Sequence, residues 1–286
     1  MKNQHTNHLI ELLIGTLFIS TSGVLGKFID LPTPVIIWCR SALGGLFLYL
    51  FCRYRKFDIK IKSKKDFSTI LLSAVLLGTH WITYFYALKM SNVALGMLSL
   101  FTFPVITALL EPLFIKTKLN IIHVFLGIIV LIGIYILAPK FDFESSQVKG
   151  ILLGLFSALC YALRNLTLKR HIAQYSGTAL MMHQILILSV LLIPFMLTMD
   201  ISNLTTQYPY VILLALITTA IGHSIFIHSL KYFSVSTASI INSIQPVLGI
   251  IMAYFFLKEI PTWNTFFGGS LILATVIIES VRSRKA

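Results

Sequence analysis

The fold is decided by LKMSNVALGMLSLFTFPVITALLEPLF, residues 88–114, and by its counterpart 142 positions later, LKYFSVSTASIINSIQPVLGIIMAYFF, residues 230–256. Eleven of the 49 positions from 88 to 136 are identical to their counterparts, without a gap. Leucine and isoleucine coincide easily in apolar sequence, so proline, lysine and glycine coincidences are stronger evidence. One offset aligns five such pairs: Pro104/Pro246, Lys27/Lys169, Lys89/Lys231, Lys116/Lys258 and Gly127/Gly269. The chain therefore contains an internal repeat.

The sequence around this repeat consists of long apolar runs. Of the 286 residues, 57% are hydrophobic and only 12% are charged, about half the charged share of a soluble domain. A membrane helix needs roughly 20 apolar residues. The runs predict an all-α integral membrane protein with ten transmembrane spans, numbered 1 to 10: 8–29, 33–52, 67–87, 92–115, 120–138, 148–169, 178–199, 208–229, 237–257 and 262–280.

Five spans in each repeat is an odd number, so the two halves must insert with opposite orientations. This predicts two inverted five-helix repeats, residues 1–140 and 141–286, a plan common among secondary transporters. The positive-inside rule places both termini in the cytoplasm, because sixteen Lys and Arg residues then lie inside and five outside. A plasma (inner) membrane is expected, and an organellar membrane is the alternative.

The net charge of +13 could indicate a nucleic-acid partner. The positive charges lie instead in short tracts between apolar runs, as in cytoplasmic loops, and the densest tract, 53–65, holds seven of them. No nucleic-acid partner is expected. The expected partners are the lipid bilayer and a small-molecule substrate, and a homodimer is an alternative to a monomer.

The repeat resembles the drug/metabolite transporter superfamily, in particular its EamA-type members. The resemblance covers almost the whole chain and rests on these segments and residues: ALKMSNVA at 87–94, Pro104, Gly127, SLKYFSVS at 229–236, Pro246, LKE at 257–259, and Gly268-Gly269. It implies a central cavity lined by spans 1, 3, 4, 6, 8 and 9, and export or exchange of small organic solutes. The family often has a glutamate about thirteen residues after each proline. Glu259 matches that position, whereas Thr117 departs from it.

Spans 3 and 8 carry polar and aromatic residues that are candidates for lining this cavity. His80 and Tyr84 are four residues apart and share a helix face, and Trp81 follows His80 directly. The 142-residue offset aligns Trp81 with His223. A histidine titrates near neutral pH, so His80 and His223 are candidates for carrying a coupling proton. The alternative is a neutral histidine that is hydrogen-bonded to a neighbouring helix.

Spans 4 and 9 are predicted to kink at Pro104 and Pro246, because proline removes a backbone donor and frees a carbonyl one turn earlier. In a bilayer such a carbonyl must find a partner or line a cavity. The polar residues near the two prolines are further cavity candidates: Ser99, Thr102, Asn242 and Gln245. For Ser99 and Thr102, a simple packing role is the competing interpretation.

Span 6 contributes Tyr161, Arg164 and Asn165. Arginine keeps its charge, so Arg164 must meet water, a partner or an anion, and snorkelling to the inner surface is the alternative. Arg40 in span 2 is a weaker candidate, because that span is peripheral in the family. The hydroxyl-rich segment of span 1 favours close helix packing: Thr16, Ser20, Thr21 and Ser22.

Signals for an enzyme are absent from the sequence. There is no phosphate-binding loop, nucleophile elbow or His-Glu metal spacing, and the three cysteines are far apart. No metal and no cofactor are expected. Glu111 is a third proton-coupling candidate, although pairing with Lys116 is favoured.

The sequence therefore predicts a secondary transporter for metabolites or drugs. The alternative is an exchanger or flippase for nucleotide sugars or lipid-linked sugars, whose phosphates Arg164 and Arg40 could bind. A membrane-embedded enzyme or a structural membrane subunit is the third hypothesis.

Overall fold

The computed structural model describes residues 2–114, 121–137, 144–169, 174–242 and 244–283, and throughout these ranges the regular structure is helical, with no strand. The elements are α1 (Lys2–Phe28), α2 (Thr33–Tyr54), α3 (Lys64–Met90), α4 (Val93–Leu100), α5 (Phe103–Phe114), α6 (Ile121–Leu137), α7 (Ser146–Lys169), α8 (Gly177–Leu191), α9 (Ile193–Thr198), α10 (Leu204–Leu213), a π-helical segment π1 (Leu214–His223), α11 (Ser224–Ser229), α12 (Val235–Asn242), α13 (Gln245–Leu257) and α14 (Trp263–Ser283).

Helical segments lie over each of the ten predicted ranges. Within the described residues, six are long and apolar enough to cross a membrane: Thr6–Phe28, Thr33–Tyr54, Lys64–Met90, Val93–Phe114, Ser146–Lys169 and Leu204–Ser229. The chain is thus a multi-pass membrane protein whose described part is all helical, and the arrangement of ten spans in two repeats stays a prediction. Lys116, Thr117 and the predicted repeat boundary at 140/141 lie outside the described residues.

Three predicted spans are interrupted where the sequence places a proline. Span 4 is split between α4 and α5, just before Pro104, and span 9 between α12 and α13, just before Pro246. Span 7 is split at Leu192, two residues before Pro194. Proline disfavours helical backbone in the residue that precedes it and cannot donate to the previous turn. The two breaks at Pro104 and Pro246 lie 142 residues apart and expose helix ends inside the bundle.

Span 8 differs from a regular helix for another reason. Its middle, π1, has the wider π-helical turn, which is uncommon and frequent at functional sites. The hydroxyls of Thr218 and Thr219 both donate to the carbonyl of Leu214, at 2.6 and 3.2 Å. The wide turn therefore presents two consecutive threonine side chains to the same neighbour, α2.

Four helix pairings position the centre of the bundle. α3 packs along α7, and α1 packs along π1 and α11. α2 packs against α8, and α6 against α14. The outer face of α6 leaves Phe125, Leu131 and Tyr135 more than half exposed, which suits contact with lipid chains rather than water.

Loop contacts join segments that the sequence predicts on the same side of the membrane. On the predicted cytoplasmic side, Lys62 N–H donates to the hydroxyl of Tyr175 at 2.9 Å, and that hydroxyl donates to Asp66 at 2.9 Å. On the opposite side, Asn203 Nδ2 donates to Asp30 at 3.0 Å. These contacts agree with the predicted grouping of the loops on two sides, and the choice of the cytoplasmic side stays a prediction.

Candidate functional site

A small cavity, here called the chamber, lies where α1, α3, α4, α7 and π1 meet the two proline breaks. Its volume is about 20 Å³, enough for roughly one water molecule. It is lined by Ile19, Ser22, His80, Trp81, Tyr84, Leu100, Phe101, Phe103, Tyr161, His223, Asn242 and Gln245. The chamber is too small for an organic solute, so its walls must separate before one can enter.

Seven of the predicted cavity residues meet in this wall, although they come from α3, α7, π1, α12 and α13: His80, Trp81, Tyr84, Tyr161, His223, Asn242 and Gln245. The ring of His80 stacks on Tyr161 with centroids 4.4 Å apart. Trp81 contacts His223 with centroids 5.4 Å apart. Histidine and aromatic rings therefore form one continuous surface around the chamber.

His80 is held by a reciprocal pair of hydrogen bonds to Ser157 of α7. The Ser157 hydroxyl donates to the backbone carbonyl of His80 at 2.8 Å, and the same oxygen lies 2.7 Å from His80 Nδ1. Because the single hydroxyl proton is used on the carbonyl, Nδ1 must be the donor in the second bond. A neutral His80 then carries its lone pair on Nε2.

The second half contributes a histidine and an amide pair. Gln245 Nε2 donates to Asn242 Oδ1 across the α12–α13 break. His223 is buried, and its Nδ1 has no hydrogen-bond partner among the described residues. A buried nitrogen without a partner costs free energy, so this atom has unused hydrogen-bonding capacity beside the chamber.

Arg40 does not behave as the sequence suggests, because it is completely buried against the wall of the chamber. Its guanidinium carbon lies 3.9 Å from the centroid of Trp81, a cation–π contact. Its nitrogens donate to Thr219 at 2.9 Å, Thr218 at 3.1 Å and Ser22 at 3.4 Å. A peripheral helix can still direct one long side chain inward, which composition alone does not reveal.

Arg164 is also completely buried and has not snorkelled to the surface. Its Nε donates to Gln184 of α8 at 2.8 Å, and Nη1 donates to Asn165 at 3.0 Å. Neither Arg164 nor Asn165 lines the chamber. Both lie one helical turn after Tyr161 in α7, and Tyr161 does line it.

Several candidates lie outside the chamber wall. Ser99 and Thr102 are buried, and their hydroxyls donate to carbonyls of their own segment, as the packing interpretation predicts. Pro104 and Pro246 lie at the helix breaks. Glu111 is half-buried in α5, away from the described wall.

Five wall residues were not among the sequence candidates: Ile19, Ser22, Leu100, Phe101 and Phe103. Four of them are apolar and resemble any other residue of a membrane span. Ser22 has a signal, the hydroxyl-rich segment of span 1, which was interpreted as helix packing. Phe101 lies at the break before Pro104 and could have been found from that break.

Comparisons with known proteins identify the family to which the chain belongs. The sequence model of the EamA-like transporter family matches residues 8–138 and again residues 148–281. An uncharacterised transporter of Bacillus subtilis, YxxF, is 25% identical over 98% of this chain and 91% of its own length. The pseudopaline exporter CntI of Pseudomonas aeruginosa is 24% identical over 89% of this chain and 88% of its own length.

The fold has also been seen in a solved crystal structure, which superposes with a TM-score of 0.75 at 16% identity and covers 98% of both chains. That likeness concerns the fold alone. The two family matches together span nearly the whole chain, in the two halves that the internal repeat defines. This chain belongs to the EamA-like transporter family.

Proposed function

We propose that this protein is a secondary transporter that exports small organic solutes by alternating access, in which two inverted five-helix repeats rock around the chamber. The observation that carries the proposal is the contact of Trp81 with His223 in the chamber wall. These two residues are 142 positions apart and are therefore equivalent in the two repeats. Equivalent residues that touch each other lie beside a pseudo-two-fold axis.

The helix packing supports the same axis. α2 packs against its repeat equivalent α8, and α6 packs against its equivalent α14. The pairing of α3 with α7 is repeated by the pairing of π1 and α11 with α1. A pairwise exchange of this kind is expected when one half is rotated onto the other and the chamber lies between them.

Two lysines at opposite ends of the bundle make equivalent bonds. Lys27 Nζ donates to the carbonyl of Ser91 at 2.9 Å, and Lys169 Nζ donates to the carbonyl of Phe233 at 2.8 Å. Both pairs obey the 142-residue offset. In inverted repeats, equivalent contacts lie on opposite sides of the membrane, where they can act as alternating gates.

The gate on the predicted outer side contains an ion pair, and we call it the outer latch: Lys27, Ser91, Val93 and Glu259. Lys27 lies 2.6 Å from Glu259, whose other oxygen accepts from Val93 N–H at 2.8 Å. On the predicted inner side, Lys169 also donates to the Leu230 carbonyl. A chamber of only about 20 Å³, with a lysine-centred contact toward each end of the bundle, agrees with an occluded intermediate of alternating access.

Export is the favoured direction because a relative of similar length, CntI, is named as an exporter. A nucleotide-sugar or lipid-linked sugar exchanger of the same architecture is the alternative, and the observation in its favour is the pair of buried arginines, Arg40 and Arg164. If Arg164→Ala selectively abolishes binding of phosphorylated ligands, this alternative gains support.

Transport by the purified protein in proteoliposomes tests the proposal. Vesicles are loaded with each member of a solute panel, covering amino acids, organic acids, sugars, polyamines and drugs. The expected result is counterflow of at least one solute at a rate above that in protein-free vesicles loaded with the same solute. If no solute moves faster than in protein-free vesicles, the assignment as a transporter fails.

A further inference from the structure

Two positive charges lie deep in the bundle without an acidic partner. Arg40 of α2 and Arg164 of α7 are both completely buried. Among the described residues, the ion pairs involve neither arginine. Buried charges are usually paired with an opposite charge, and a charged residue at bilayer depth is a candidate functional group. Among the described residues, the fold therefore provides no acidic group to balance these two charges.

Neutral partners hold both guanidinium groups in place. Threonine and serine hydroxyls bind Arg40, and amide oxygens bind Arg164. These contacts satisfy hydrogen bonds without cancelling the charge. Each guanidinium thus keeps its full charge, which acts over a longer distance in an apolar interior than in water.

Both charges lie one side chain behind the wall of the chamber. Arg40 stacks on Trp81 and bonds Ser22, and both of these residues line the chamber. Arg164 lies one helical turn from Tyr161, which lines it too. The two charges therefore come from different helices, α2 and α7, and act on the same space.

The wall itself offers polar atoms but no negative charge. Its polar members are neutral hydroxyls, amides, an indole and two imidazoles, and it contains no aspartate or glutamate among the described residues. His223 Nδ1 is buried there without a partner. The remaining surface is largely aromatic, which suits an apolar portion of a solute.

We infer that the chamber selects a solute that carries an oxyanion, a carboxylate or a phosphate, whose charge is balanced by Arg40 and Arg164. The inference rests on the proposed function, because it takes the chamber as the site at which the transported solute binds. An anion supplies the charge that the protein lacks, whereas an amine would add a third positive charge to the same space. The expected order of affinity is anion, then neutral analogue, then cation.

Trp81 provides a direct readout of binding. The chain has three tryptophans, so Trp38→Phe with Trp263→Phe leaves Trp81, in the wall and against Arg40, as the reporter. Full-length protein in detergent is titrated with 3-phenylpropionate, its uncharged amide and 3-phenylpropylamine. Succinate and inorganic phosphate form separate arms that distinguish a carboxylate site from a phosphate site.

Saturable quenching by at least one anion, with affinity about tenfold above that of its neutral analogue, is the expected result. Arg40→Gln and Arg164→Gln should remove this preference, whereas Arg164→Lys, which keeps the charge, should retain part of it. Arg53→Gln is the matched control, since Arg53 is an exposed arginine at the end of α2, and it should bind like the parent protein.

The inference is overturned if the amide or the amine binds as tightly as the acid, or if no anion quenches Trp81. It is also overturned if folded Arg40→Gln and Arg164→Gln proteins keep the preference for anions. Should these variants fail to fold, the comparison of acid with amide in the parent protein decides alone. Binding needs no gradient, so transport of a neutral solute together with failure here would reject the anion site and leave the transporter standing.

Discussion

At the scale of single residues, the close crossing of α1 and π1 depends on the absence of side chains. A Cβ atom on Gly222 would lie 2.7 Å from a side-chain carbon of Ile19 and 3.3 Å from the carbonyl oxygen of Gly15. At the equivalent crossing of α7 with α3, the counterparts of Gly15 and Gly222 are Ser157 and His80, which are joined by hydrogen bonds. One of these two equivalent crossings thus packs closely where the other places a polar pair.

Gly222→Ala should therefore destabilise the protein, because the new methyl group must push α1 away from π1. Overpacking of this kind costs about 1–3 kcal/mol. The three cysteines are buried, so their reaction with a thiol-reactive dye on heating reports unfolding. Gly269→Ala is the control, since its Cβ would meet ordinary contacts at 3.4 and 3.6 Å. Equal unfolding temperatures for the two variants would contradict this account of the crossing.

His80 and Arg40 illustrate how much of the site the sequence can predict. Polarity inside an apolar run is visible in the sequence, so His80, His223, Asn242 and Gln245 could be selected before their contacts were known. The direction of a side chain depends on helix rotation and on the neighbours, and therefore Arg40 looked peripheral. Its position behind Trp81 is a property of tertiary packing.

At the scale of elements, the π-helical turn of π1 is the feature that sequence could not predict. Pro104 and Pro246 predict the breaks in spans 4 and 9 from the sequence alone, because proline has a local effect on the backbone. No comparable residue marks the π turn, which depends on packing against α1 and α2. Its consequence is specific: two consecutive threonines reach Arg40.

Thr219→Val should lower the unfolding temperature, since it leaves Arg40 Nε without its acceptor at 2.9 Å. An unsatisfied buried donor costs about 1–3 kcal/mol, and more when it is charged. Thr83→Val is the matched control, because the Thr83 hydroxyl bonds only carbonyls of its own helix. The dye assay compares the two variants. A larger loss in Thr83→Val would refute this role of the π turn.

The outer latch makes a second prediction about elements. Glu259→Gln should weaken the contact with Lys27. Because Glu259 and Ala94 both line the adjacent cavity of about 210 Å³, this change should make the cavity more accessible. Labelling of Ala94→Cys by a membrane-impermeant maleimide, with the native cysteines replaced, should become faster. Lys149→Met is the control, because it breaks a more exposed pair with Glu144. Unchanged labelling in Glu259→Gln would mean that the ion pair does not close this end.

At the scale of the whole molecule, the sequence predicts more of the architecture than of the site. Apolar run length locates helices, because the bilayer fixes how long a span must be. The repeat offset identifies equivalent residues, and Trp81 and His223 are in contact. Neither pattern reveals how tightly the halves approach, since that depends on side chains such as Phe101 and Phe103 that line the chamber.

The central claim is that one chamber opens alternately to the two sides of the membrane. Ser22, in its wall, can be replaced by cysteine in a background without the native cysteines. Labelling by an impermeant maleimide is then measured in right-side-out and inside-out vesicles. Alternating access predicts that the reagent reaches this cysteine from either face, and that Glu259→Gln shifts the balance toward the outer face. Access from one face only, or from neither, would contradict the account.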